Sequence, residues 1–183
     1  MSLTLRFRFP RRAGRTKRTA YWIFLLAVIV VAVWQTCPTA PLPDGAMGGK
    51  VVAVKDGDTF EVLMDGKAQV VRLAHVDCPE LGQVYGRAAK RFASDLCFGE
   101  MVLVQETGDR DRWGRMIAIV YLLDSTEVNR ELVRAGYAWH FKRYSKDESY
   151  ARLEEEARAA KRGLWADPYA IPPWEWRKKN KRK

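Results

Sequence analysis

Hydrophobic and polar positions alternate with period two through much of residues 51–76, the pattern of half-buried β-strands. "VVAV" at 51–54 reads as one strand and "TFEVLM" at 59–64 as a second. Asp65-Gly66 is a two-residue hairpin signal, and "KAQVVRLAHV" at 67–76 returns as a third strand. In that strand the period places Arg72, Ala74 and Val76 on one face and Val71, Leu73 and His75 on the other. The spacing then changes. "GRAAKRFASDLCFG" at 86–99 carries Ala89, Phe92 and Leu96 as a helical stripe, closed by Gly99. "MVLVQ" (101–105) and "MIAIVYL" (116–122) are strands joined by the polar loop "ETGDRDRWGR". "STEVNRELVRAG" at 125–136 is a short helix ended by Gly136. Ser145 to Glu148 has capping-box spacing and opens a helix with the stripe Tyr150, Leu153, Ala157 and Ala160, stopped by Gly163. The sum is an α+β fold: a five-stranded OB-type β-barrel with about three helices, one of them between the third and fourth strands.

The first fifty residues follow a different rule. Ala20 to Trp34 is an unbroken apolar run, with no charge between Arg18 and Asp44. Trp22 and Trp34 sit at its ends, as interface aromatics do. Residues 1–19 therefore read as a basic cytoplasmic tail and 20–37 as a transmembrane signal anchor, preferred over a cleaved signal peptide. Residues 38–49, "PTAPLPDGAMGG", read as a Pro/Gly linker. The barrel domain is expected over 50–170, followed by a Pro/Trp-rich and basic tail at 171–183. The positive-inside rule places everything after the anchor outside the cytoplasm. A secreted or periplasmic form after cleavage is the alternative. In that oxidising setting Cys78 and Cys97 can pair as a disulfide, and two buried free thiols are the other reading.

Charge narrows the choice of partners. The net charge of +10 suggests a polyanion binder, but residues 1–18 hold seven basic groups and 177–183 hold six, with no acid in either. Setting these aside leaves 19 basic against 22 acidic groups in residues 19–176. A polyanion at the barrel must be held by a few placed cations or a metal ion, not by a general positive field.

Four stretches place charge where a barrel does not need it: "DGDT" (56–59), "VRLAHVDCPE" (71–80), "DRDRWGR" (109–115) and "HFKRY" (140–144). Taken singly, the first is an ordinary turn and the third a hydrated loop. Taken together they say more. Asp58 begins the second strand and Asp77 ends the third, and antiparallel pairing brings those ends side by side. Two converging carboxylates repel unless a cation or proton sits between them. Oxygen donors of this kind suit a hard cation such as Ca²⁺. Zinc-type His/Cys spacing is absent, and the residues after Asp58 do not continue an EF-hand loop.

"VKDGDTFEV", "VRLAHVDCPE", "YGRAAKRFASDLCFG", "DRWGRMIAIVY" and "VNRELVRAGYAW" stand in the order found in staphylococcal-nuclease-like (thermonuclease) domains. The chain resembles that family over residues 50–166, and the closing "GLWADPYAIPPWEWR" is similar to the end of many bacterial members. The resemblance implies a five-stranded OB barrel with three helices and Ca²⁺-dependent cleavage of phosphodiesters in DNA and RNA. It implies Asp58, Asp77 and the Cys78 carbonyl as metal ligands, where the family often has threonine at the last position. It implies Arg72, Glu80 and Arg115 as the catalytic trio. Arg112 and Trp113 match a basic-aromatic pair near the nucleotide, and Lys142 and Tyr144 match residues covering the base, Lys142 standing where an aromatic is usual. The loop "LGQVY" at 81–85 is short for the family, and His75 and His140 have no matched role. A monomeric domain is expected. A non-catalytic nucleic-acid- or protein-binding module on the same barrel is the competing reading.

Overall fold

The computed structural model of the protein describes residues 44–180. The expected cytoplasmic tail, membrane anchor and most of the linker lie outside these residues. Among the described residues no helix is long and apolar enough to cross a membrane.

Among the described residues seven strands and four helices follow one another: β1 (Met47–Val54), β2 (Thr59–Met64), β3 (Lys67–Leu73), β4 (Val76–Asp77), α1 (Gly86–Cys97), β5 (Met101–Glu106), β6 (Met116–Leu122), α2 (Val128–Arg134), β7 (Trp139–His140), α3 (Glu148–Ala159) and α4 (Pro173–Asn180). A short 3₁₀ turn, Gly163–Ala166, precedes α4. Five strands close into a barrel in the order β1-β2-β3-β6-β5, with β5 returning to β1. This is the expected α+β barrel, with four helices in place of about three. The β2–β3 turn is Asp65-Gly66, with φ of 48° and 75°, the left-handed pair that a two-residue hairpin demands.

The barrel interior is Val51, Phe60, Val62, Val71, Val102, Val104, Ala118 and Val120, all fully buried. Each complete burial of a Val or Phe contributes roughly 1.5–3 kcal/mol, so the alternating residues of all five strands jointly specify closure. The first strand starts at Met47, inside the stretch read as linker, because Met47–Lys50 pair with Val104–Met101.

The third strand stops earlier than its alternation suggests. Val71 and Leu73 face inward and Arg72 outward, as expected, with β3 running parallel to β6 (Val71↔Met116, Leu73↔Ala118). The chain then bends at His75, whose φ is 67°, and Val76–Asp77 pair instead with Trp139–His140 of β7. Asn129 of α2 secures the bend. Its Nδ2 donates to the Ala74 carbonyl at 3.0 Å and the Ala118 carbonyl at 3.2 Å, and its Oδ1 accepts the Val120 N–H at 3.1 Å. An amide buried in the core can satisfy backbone groups that a bent strand leaves open.

α1 buries Gly86, Ala89, Ala93 and Cys97, with Phe92 and Leu96 packed beside them, so the stripe is rotated slightly from the one read in the sequence. Cys78 and Cys97 are not bonded: both are buried and free. The Cys97 thiol donates to the Ala93 carbonyl at 3.0 Å within α1, while the Cys78 side chain packs under Gly57. Burial pushes both thiols up, Cys97 to about 12, so neither is a ready thiolate.

α3 is capped two residues later than the capping-box reading. Asp147 is the N-cap and accepts the Ser149 N–H at 2.8 Å. Ser145 is buried, with its Oγ 2.9 Å from His140 Nε2. The helix buries Tyr150, Leu153, Glu154 and Ala157, whereas Ala160 lies beyond its end and is exposed. The segment read as a Pro/Trp and basic tail holds α4. Trp174 meets Trp139 edge-on at 5.7 Å and stacks on Phe141 at 5.5 Å, and Pro173 is buried.

Candidate active site

The "DGDT" stretch is a turn held by its own side chains. Lys55 N–H reaches the Thr59 carbonyl at 2.8 Å, and Asp58 N–H donates to Asp56 Oδ1 at 3.1 Å. A Cβ at Gly57 would lie 2.8–2.9 Å from Cys78 and Ala89 side-chain atoms, so only glycine lets the turn close onto β4 and α1. The Leu73 N–H donates to the Asp58 carbonyl at 2.9 Å and fixes the turn at the end of β3. Asp58 Oδ2 accepts the Cys78 N–H at 2.5 Å. The turn and the start of the 77–80 segment are thereby one unit.

Arg72 stands at the centre of that unit. Its Nε lies 3.2 Å from Asp58 Oδ1 and its Nη2 lies 2.8 Å from Asp77 Oδ1. Its Nη1 donates to the Leu73 and Val76 carbonyls at 2.9 and 3.0 Å. Asp58 and Asp77 are only 5 % and 1 % exposed, so a charge-assisted network satisfies two carboxylates with almost no water. Burial pushes the Asp58 carboxyl up to about 7, the Arg72 charge opposing and the Asp56 and Asp77 charges adding. Burial alone would lower the Arg72 guanidinium, and the Asp58 and Asp77 carboxylates outweigh it.

Glu80 follows two residues after Cys78. Its carboxylate is about one-third exposed, and its Oε1 lies 2.7 Å from Nη1 of Arg177 in α4. Arg177 also grips Asp77 with both arms, Nη1 to Oδ1 at 3.2 Å and Nη2 to Oδ2 at 2.6 Å. Burial would lower the Arg177 guanidinium, but its bonds to Asp77 and Glu80 hold it above the ordinary arginine value.

Arg115 stands apart from this network. Ile117 is in register with Arg72 across the β3–β6 pair, and alternation puts Arg115 on the same outward face. Its Nε and Nη2 both lie 2.7 Å from Asp111 Oδ2, which orients the guanidinium. Arg112 and Arg115 lie over the exposed Trp113 ring at 3.9 and 4.9 Å. The β4–β7 pairing sets His140 opposite Val76, and the Phe141 N–H donates to the His75 carbonyl at 2.8 Å, so the 140–144 segment leaves from the bend at His75. There Tyr144 is exposed, edge-on to Phe141 at 4.9 Å, and Lys142 Nζ lies 3.8 Å from Glu154. Among the described residues no hydrogen bond or ion pair links Arg115, Arg112, Lys142 or Tyr144 to the Asp58–Asp77–Glu80 cluster.

The donor set fits a hard divalent cation in chemistry. Asp58, Asp77 and the Cys78 carbonyl offer oxygen only, and a carboxyl raised chiefly by burial, with the Asp56 and Asp77 charges adding, is stabilised in its charged form by added positive charge. The described residues contain no cluster of three or more His, Cys, Asp or Glu side chains placed for a metal, so water and substrate oxygens would supply the remaining ligands. The sequence reading missed Arg177 altogether. Its signal was there: Pro173 at a first helical position followed by "WEW" reads as a helix start, and the run of lysines after it drew attention to charge instead.

Comparisons with known proteins give the chain its family. The staphylococcal nuclease homologue family model matches residues 70–167, which contain Arg72, Asp77, Cys78, Glu80 and Arg115. An uncharacterized endonuclease of Escherichia coli O157:H7 is 46% identical over 129 residues, covering 70% of this chain and 84% of that protein. A micrococcal nuclease of Shigella flexneri is 39% identical over 143 residues, covering 73% and 82%. An uncharacterized endonuclease of Haemophilus influenzae is 40% identical over 133 residues, covering 72% and 74%. On this match, and on a closed five-strand barrel with its charged cluster at one rim, the chain belongs to the staphylococcal nuclease homologue family.

Proposed function

We propose that the protein is a Ca²⁺-dependent nuclease that hydrolyses phosphodiester bonds in DNA, RNA or both, held at the cytoplasmic membrane with its barrel outside the cytoplasm. The observation that carries the reading is the meeting of Asp58, Asp77 and Glu80 around guanidiniums at one rim of the barrel. The basic tail and apolar run of residues 1–37 support the location.

In this reading Asp58, Asp77 and the Cys78 carbonyl hold Ca²⁺, which supplies Lewis-acid stabilisation of a phosphoryl oxygen. The protein's residues supply the rest. Glu80, the partly exposed carboxylate of the cluster, accepts a proton from the attacking water. Arg72 and Arg115 share the outward face. Arg115 offers guanidinium donors to the charge that builds on phosphorus, and Arg72, tied to Asp58 and Asp77, adds its positive charge. The Asp111 contact keeps Arg115 extended towards that face. Trp113 and Tyr144, both exposed, offer faces on which bases stack, and Arg112 and Lys142 add charge for the flanking phosphates.

The test is incubation of the purified full chain with double-stranded DNA, single-stranded DNA and RNA, in Ca²⁺ or in chelator. Calcium-dependent fragmentation is expected. A gel shift without cutting at any calcium concentration would replace the enzyme with a binding module.

A further inference from the structure

The catalytic carboxylate assigned to Glu80 needs something to aim it. Among the described residues its side chain has one ion-pair partner, Arg177. That arginine also takes both oxygens of Asp77. Left alone, the two carboxylates would repel and Glu80 would swing into solvent, where each rotamer costs little.

The placement of Arg177 follows from the fold. Asp77 is in register with Trp139 across the β4–β7 pair. Trp174 packs against Trp139, and Arg177 lies one helical turn further along α4, on the same side. A helix seated on Trp139 therefore delivers its next-turn residue to Asp77. The helix does not need Arg177 as its fastening. Trp174 is held by Trp139 and Phe141, the Trp176 ring lies against Gly82, and the Gln83 side chain donates to the Ile171 carbonyl at 2.5 Å. The guanidinium is free to serve the carboxylates.

We propose that Arg177 is a positioning residue of the active site, tying the Glu80 carboxylate to Asp77, and that α4 is part of the catalytic machinery. The inference rests on the roles given to Glu80 and Asp77 above. It explains why two forked guanidiniums, Arg72 and Arg177, share Asp77: one joins it to Asp58, the other to Glu80.

The experiment uses the full chain and the variants Arg177→Ala, Arg177→Gln and Arg177→Lys, with Glu80→Gln and Asp77→Asn measured alongside. Misaiming a catalytic group by about 1 Å can cost about 100-fold. Arg177→Ala and Arg177→Gln are therefore expected to lose roughly 10- to 100-fold in kcat, with KM changed less than about threefold. Arg177→Lys keeps the charge without the fork and is expected to recover part of the loss. Added guanidinium ion at non-denaturing concentration should partly restore Arg177→Ala and leave the wild type unchanged. Calcium binding by calorimetry is expected to be retained in all three.

Unchanged kcat in all three Arg177 variants, with Glu80→Gln and Asp77→Asn inactive, would overturn the inference alone. Active Glu80→Gln and Asp77→Asn would overturn the site reading beneath it. Higher kcat together with tighter calcium binding in Arg177→Ala would make the guanidinium a competitor of the ion, also overturning the proposal. Should Arg177→Ala melt below the assay temperature, Arg177→Lys and the guanidinium titration carry the decision.

Discussion

Gly86→Ala tests whether the backbone of Glu80 is where the chemistry needs it. Gly86 is the first residue of α1 and lies directly over the Glu80 peptide. A Cβ built there falls 1.8 Å from the Glu80 carbonyl oxygen, 2.5 Å from its carbon and 3.1 Å from Leu81 Cα. A carbon and a carbonyl oxygen rest at about 3.3 Å, so α1 and the Glu80 peptide must separate by about 1.5 Å. The neighbouring bonds say which side yields. The Glu80 carbonyl accepts the Gln83 N–H at 2.8 Å, in the exposed 81–84 loop, whereas α1 is packed into the core through Ala89, Ala93 and Cys97. The loop yields and carries Glu80 with it. A shift of that size predicts a fall in kcat of about 100-fold or more, against an overpacking cost to stability of only roughly 1–3 kcal/mol. The assay pairs steady-state cleavage of a fluorogenic oligonucleotide with urea unfolding, both in saturating calcium. Gly66→Ala is the control, since its hairpin position is open around the Cβ and strained only by its φ of 75°. It should lose about 1 kcal/mol and no activity. A Gly86→Ala enzyme with near-normal kcat and a normal fold would refute the placement of Glu80.

Arg72→Ala, Glu80→Ala and Arg115→Ala should each lower kcat/KM by two or more orders of magnitude in the same cleavage assay, Arg72→Ala with the largest change in stability because its guanidinium is buried between the Asp58 and Asp77 carboxylates. Asn129→Leu strips hydrogen-bond partners from the Val120 N–H and the Ala74 carbonyl, and at roughly 1–3 kcal/mol per orphaned group it should lower Tm by about 10 °C in calorimetry. His140 is held below its ordinary value by burial, so the unfolded chain binds the extra proton. Stability from His140 is thus fully present above the unfolded value near 6.5 and is lost as pH falls below it. His140→Gln should flatten the difference between urea midpoints at pH 7.5 and 5.5. Calcium should raise Tm in the wild type and fail to do so in Asp58→Asn, read by thermal shift with and without chelator.

Much of the barrel was legible because its strands obey period two: "TFEVLM" and "MIAIVYL" match β2 and β6 residue for residue. The site was legible in part for the same reason. Asp58 and Asp77 were expected to converge, and Arg72 touches both. Alternation could not show that β3 ends at Leu73, since the bend depends on a left-handed His75 and on an amide, Asn129, contributed from more than fifty residues away. Nor could local spacing distinguish Ser145 from Asp147 as the cap of α3, because the choice was made by the His140 side chain that claims Ser145. The disulfide reading failed on place: Cys97 is turned towards its own helix and Cys78 towards the 56–59 turn. Arg177 was hidden by its neighbours, one arginine among six basic residues at the chain end.

The position of that arginine separates durability from competence. The barrel closes between Met47 and Leu122, and its core owes nothing to α4. Between the 3₁₀ turn and α4 runs a mostly exposed stretch, residues 167–171, with Tyr169 84 % in solvent. A proteolytic nick there, followed by loss of α4, would remove Arg177 while the barrel stays shut. The molecule then survives as a stable shell whose scissors have lost one blade.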